Sequence, residues 1–225
     1  MRLSKPAVVG AVILLSSFSA WAAQRTFVSG GGNDANPCTH DLPCRSFTAA
    51  MAVTNANGEI VAVDSAGYGT VTITQAVAIV APLGVHAGVS AFSGNGITVT
   101  AGASDVVVLR NLYVNSQGAD QGIFLTSAAA LHIEHCVVSG FSFDNIDLEP
   151  VTDAVVAVSD TQVRDTPGFG FYADSAQVLT VSIDHCRIEH NLEQARLVAI
   201  SRARDYGKER SEWVLHRFAH VFSIR

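Results

Sequence analysis

The chain has 225 residues, 48% of them hydrophobic and only 15% charged, with a net charge of −6. That balance excludes a disordered polyelectrolyte and fits one domain, or two at most, around a sizeable core. Val, Ile, Thr and Ala are abundant beside 18 Gly and only 2 Met, a composition of strands and turns rather than of helices.

Residues 1–22 read as an export signal. Arg2 and Lys5 precede an apolar run from Ala7 to Leu15, and Ala20-Trp21-Ala22 sets small residues at both recognition positions of a signal peptidase. Cleavage is expected between Ala22 and Ala23. The apolar run is well short of the roughly 20 residues that span a bilayer, so no membrane span is expected after signal removal. The mature protein is expected to be exported, to the periplasm, the cell surface or the medium, where disulfides persist.

Residues 23–58 form an entry segment. Cys38 and Cys44 flank the turn-rich stretch Thr39-His40-Asp41-Leu42-Pro43, which a disulfide would close. A metal site from Cys38, His40, Asp41 and Cys44 is the alternative, but it lacks the second ligand pair of structural zinc motifs. Ser46 is placed to cap a short helix. Phe47, Ala50 and Met51 then fall at i, i+3 and i+4, an apolar stripe able to cover the open first turn of a repeat array.

Residues 59–191 repeat. Strands are expected over 59–63, 71–74 and 76–81, with turn residues at 64–69. Further on, Leu109-Arg110-Asn111-Leu112, Ile133-Glu134-His135-Cys136, Val158-Ser159-Asp160-Thr161 and Ile183-Asp184-His185-Cys186 recur at offsets of 24, 25 and 25 residues. A second marker runs in phase: Gly96-Ile97, Gly122-Ile123, Asn145-Ile146 and Gly170-Phe171. One such unit cannot bury its own apolar face, whereas stacked units build parallel sheets around a shared core. A leucine-rich repeat has a similar period, but its multi-Leu consensus is absent. The reading is all-β, a parallel β-helix with a short N-terminal capping helix.

Stacking aligns Asn111, His135, Asp160 and His185 in one column. A His-Asp-His stack invites metal or acid–base chemistry, which makes Asp160 a catalytic candidate. The simpler reading is a tight bend, since Asn, Asp and His are the non-glycine residues enriched in left-handed backbone. Cys136 and Cys186 share the next column two units apart, beyond disulfide reach, and are expected to be reduced core residues.

Carboxylates gather at Asp144, Asp147, Glu149 and Asp153. Oxygen ligands of this kind suit calcium, the one cofactor the sequence suggests, and Asp147 and Glu149 are the other catalytic candidates. Solvated loop charges are the plainer account. On the outer face of one sheet Arg110, Glu134, Ser159 and Asp184 form a mixed column. Residues 23–191 carry five basic against sixteen acidic residues, a net of −11, so no nucleic-acid partner is expected and an acidic polymer would be repelled. A neutral glycan or a divalent ion fits that charge better.

Residues 192–225 hold seven of the 14 basic residues and break the period. Residues 192–204 read as helix, with Val214, Phe218 and Val221 as an apolar stripe; the tail is either a helical cap or a non-native extension.

Thr26-Phe27-Val28-Ser29-Gly30, Gly32-Asn33-Asp34-Ala35-Asn36-Pro37-Cys38 and Pro43-Cys44-Arg45-Ser46-Phe47 resemble the entry motif of bacterial secreted right-handed β-helix repeat proteins of the pectin-lyase-like group. The resemblance implies a right-handed, extracytoplasmic solenoid connected with polysaccharides. That group includes enzymes, binding modules and proteins of no known activity, and fold alone does not choose among them. The catalytic motifs of pectate lyases and polygalacturonases are missing. The expectation is a non-catalytic protein that binds glycan or serves a surface or periplasmic structure, with a polysaccharide lyase or glycoside hydrolase as the alternative.

Overall fold

The structure, a computed structural model, describes residues 23–199, 211–214 and 221–223. Residues 1–22, and with them the expected export signal and Ala22, lie outside the described residues. The described chain is an all-β parallel solenoid of about five turns with 4% helix. No described helix is long and apolar enough to cross a membrane.

Three parallel sheets form the walls. The first stacks Ala23–Val28, Thr54–Ala62, Val77–Val80, Val106–Arg110, Ala130–Glu134, Ala154–Ser159 and Leu179–Asp184. The second stacks Ala66–Gly67, Ala87–Ala91, Leu112–Ser116, Val137–Ser139, Gln162–Arg164 and Arg187–Glu189. The third stacks Val71–Ile73, Asn95–Thr100, Gln121–Ser127, Asp144–Leu148, Phe169–Ser175 and Glu193–Ala199. Each turn of chain passes from the first sheet to the second and third and returns to the first.

The register follows the repeat. Leu109 pairs with Ile133, Ile133 with Val158 and Val158 with Ile183, so the marker residues stack on one another. Alternation decides which side chains go inward: Leu131 and Ile133, or Val156 and Val158, are buried while His132 and Ala157 between them are half-buried on the outer face. Each buried branched side chain contributes about 1.5–3 kcal/mol, and the stack repeats that gain on every turn. The first turns are irregular, since Ile60 pairs with Ile79 but Ile79 with Leu109. The expected turn at 64–69 contains the two-residue strand Ala66–Gly67, which starts the second sheet.

Both markers have a physical cause. Asn111, His135, Asp160 and His185 all have positive φ, between 50° and 58°, so the column is the left-handed bend from first to second sheet. A second left-handed column follows the second sheet at Gly140, Asp165 and His190, which the sequence reading missed. At the inner corner of the third sheet, a Cβ on Gly122 would lie 2.5 Å from Val138 Cγ1 and 2.3 Å from the Asn145 carbonyl oxygen, so the glycine marker records close packing. Asn145 replaces glycine there because its buried Nδ2 donates to the Arg164 carbonyl at 2.9 Å.

At the N-terminal end a helix spans Phe47–Val53, with Ser46 Oγ accepting from Ala49 N and with Phe47, Ala50 and Met51 buried. Cys38 and Cys44 form a disulfide with their Cα atoms 4.6 Å apart. Their loop covers the free edge of Ala23–Val28: Phe27 N donates to the Cys38 carbonyl at 2.9 Å and Cys44 N to the Phe27 carbonyl at 3.0 Å.

The helix expected over residues 192–204 is corrected where it is described. Glu193–Ala199 is a strand paired in parallel with Phe169–Ser175, so the repeat runs one strand past Asn191. The helix-favouring composition Glu193-Gln194-Ala195-Arg196 is overridden by an open parallel edge that needs a partner. Ser211–Val214 and Val221–Ser223 pair antiparallel with Glu193–Ala199 and Leu179–Asp184. Val214 and Val221 therefore lie on strands, while Phe218 and residues 200–204 lie outside the described residues.

Candidate functional site

The third sheet carries the most chemically distinctive surface. Its register builds an outward column of Thr72, Thr98, Phe124, Asp147, Tyr172 and Arg196, one residue per strand. Consecutive members are about 4.8 Å apart across the strands. A parallel outward column begins with Asn95, Gln121 and Asp144, and Phe169 stands over Glu193 in the same line. Hydroxyls thus occupy one end of the face, and rings and carboxylates the other.

Asp147 is the unusual member. It points away from the core formed by Ile146 and Leu148, yet it is only 2% exposed. Gln121 Nε2 donates to Asp147 Oδ2, while Oδ1 is buried and, among the described residues, without a hydrogen-bond partner. Burial, followed by the charges of Glu149 and Asp144, holds its carboxyl up at about 7. Glu149 is raised by burial and then by Asp174 and Asp144, and Asp144 is raised by burial. The Tyr172 phenol is raised by burial and then by Asp174, whose Oδ2 accepts from its hydroxyl at 3.4 Å. The Phe169 and Tyr172 rings lie 5.5 Å apart, and Arg196 Cζ sits 6.0 Å from the Phe169 centroid.

Clefts open at both ends of this face. One is lined by Thr48, Thr70, Thr72, Thr74, Asn95 and Thr98, the other by Glu149, Pro150, Asp174, Ser175 and Gln177.

The structure sorts the sequence candidates. Asp144, Asp147 and Glu149 share the third-sheet face, and Asp174, which the sequence reading passed over, joins them through its charge on Asp147 and Glu149. Reading these carboxylates as loop charges is corrected for Asp144 and Asp147, which lie on the strand Asp144–Leu148, Asp147 being buried although its alternation points it outward. Glu149 and Asp153 are exposed beyond that strand, as a loop-charge reading expects. Asp153 stands apart, its Oδ1 accepting from Val178 N at 3.0 Å to fasten one turn to the next. Asp144 Oδ1 does the same for Phe169 N at 2.8 Å. Among the described residues no three His, Cys, Asp or Glu side chains converge as a metal-holding group. Asp160 lies on the bend, half-exposed, with its Oδ2 3.8 Å from His135 Nε2, and does not join Asp147 and Glu149.

Other candidates have structural employment. Cys38 and Cys44 are spent on their disulfide, leaving His40 beside Asp41 on the surface at 3.2 Å. Arg110 Nε donates to Glu134 Oε2 at 2.7 Å, and Ser159 and Asp184 continue that column. Cys136 is a free, buried thiol pushed up to about 12 by burial, and Cys186 is free and half-buried.

No family model matches the chain, and no curated protein matches it.

Proposed function

We propose that the chain is an exported, right-handed β-helix protein without catalytic activity, whose third-sheet face binds glycan at the cell surface or in the periplasm. The helix Phe47–Val53 and the disulfide loop act as its N-terminal cap. The observation that carries the reading is the outward column of Thr72, Thr98, Phe124, Asp147, Tyr172 and Arg196. Rings offer flat apolar surface to sugar C–H faces, and hydroxyl, amide and carboxylate groups beside them offer hydrogen bonds, the mixture that polar ligands on open surfaces require. A solenoid presents such a line as one extended groove.

A second reading has one favouring observation. Asp147, held up at about 7 with Glu149 two residues on, is a carboxylic acid poised to give a proton near neutrality, the division of labour used in glycoside hydrolysis. Both readings face one experiment: a glycan array together with a reducing-end release assay on the exported protein, with and without calcium. Binding without release supports the first reading. Release of reducing or unsaturated sugar that disappears in Asp147→Asn overturns it in favour of the second.

A further inference from the structure

Among the described residues the third-sheet face carries more acid than base. Asp144, Asp147, Glu149 and Asp174 act on one another there, and Glu193 stands on the adjoining strand. Against them stands Arg196 at the end of the column, its guanidinium lying over Phe169. Asp147 makes the imbalance specific, because among the described residues its buried Oδ1 has no donor although the rest of its carboxylate is held by Gln121. A buried acceptor without a donor costs about 1–3 kcal/mol, a penalty that a ligand donor would relieve. A cation relieves it most, since it also offsets the mutual repulsion of the neighbouring carboxylates. Phe124 and Tyr172 on either side of Asp147 add ring faces, which attract an ammonium as well as packing against a sugar.

We infer that the glycan taken by this face is an amino-sugar chain, with a protonated amine donating to Asp147 in the field of Asp144, Glu149 and Asp174 and its sugar rings lying against Phe124 and Tyr172. This rests on the glycan-binding reading of the same face. A metal ion answers the charge less well, because no metal-holding group of side chains converges among the described residues. A simple amine would answer the charge but leave the rings and the threonine line unused. Seating requires Gln121 and Tyr172, both half-buried, to swing aside from Asp147, a rotamer change on an outer face.

The test compares a glucosamine oligomer with its N-acetylated counterpart, which has the same skeleton and no charge, by calorimetric titration of the full exported chain at low and high salt. The expected result is that the amino form binds at least about tenfold more tightly, that salt erodes this preference, and that Asp147→Asn and the half-buried Asp174→Asn each reduce it while far-UV circular dichroism is unchanged. Equal or tighter binding of the acetylated oligomer leaves the glycan reading standing and overturns the inference. Binding of an oligolysine peptide with neither sugar bound also overturns it. If neither oligomer binds and a glycan array is silent as well, the glycan reading itself has failed and the inference with it.

Discussion

The first sheet sets Arg25 against Glu59 at 2.6 Å and Arg110 against Glu134 at 2.7 Å, each pair facing across neighbouring strands. The third sheet, built by the same stacking, gathers Asp144, Asp147, Glu149 and Asp174, and buries one of them with an oxygen unpaired. Strand register is indifferent to sign, since it merely brings residues one turn apart to within about 5 Å. Where signs alternate, the face is settled in itself. Where they agree, it carries a penalty that folding does not require and that a ligand can remove, the arrangement found where a surface serves binding rather than stability.

The most direct way to break that contrast is Asp147→Asn. The ordinary carboxyl value is 3.8 and the folded one about 7, so the folded state favours the protonated form. The stability this contributes is complete below the ordinary value and is lost as pH rises through about 7. Above it, ionising the buried group costs about 4 kcal/mol. The amide carries no such cost. Urea unfolding is expected to show wild-type stability falling between about pH 4 and pH 8, and the variant falling much less over that range and more stable than wild type at the upper end. Matching pH profiles for the two proteins would mean that Asp147 bears no penalty and that the two faces do not differ as described.

Much of this architecture was legible because solenoid physics writes into the sequence at a fixed period. The offsets of 24 and 25 residues became strand register, and the recurrence of Asn, His and Asp at positions 111, 135, 160 and 185 became a run of positive φ. What stayed hidden depended on contacts that no period reports. Nothing in the linear pattern marks Phe124, yet the register turns it outward beside Asp147. Asp147 reads as a solvated charge because alternation gives the direction of a side chain and not what lies over it. Asp165 and His190 repeat Gly140, but the change from glycine to Asp and His disguises one backbone requirement as three residue types. Residues 193–199 carry helical propensity and become strand because the preceding strand offers an edge.

The bends give an effect of intermediate size. If the column of Asn111, His135, Asp160 and His185 exists for its backbone, Asp160→Ala is expected to cost about 1 kcal/mol and Asp160→Gly much less, with neither altering sugar binding on the third sheet. Chemical denaturation of the two variants separates this from a role for the carboxylate, in which both substitutions would cost the same. A loss of binding or of any activity in both would place Asp160 in the working surface and remove the division between structural bends and a functional face.

The smallest effect sharpens the contrast from the other side. On the first sheet Ser159 lies between Glu134 and Asp184, a neutral residue flanked by two acids in register. Ser159→Arg places a cation between them and extends the alternation begun by Arg110, with an expected gain of no more than about 0.5 kcal/mol, because the position is solvated and the side chain loses freedom on pairing. Salt should erase the gain, and Glu134→Gln should lose a similar amount. Thermal unfolding at low and high salt reads both. An outcome near zero for each, beside a large effect at Asp147, would show that burial rather than charge count separates the two faces. A gain well above 1 kcal/mol would show that the first sheet also holds unrelieved acidity, and the third sheet would then lose its claim to be the surface in want of a partner.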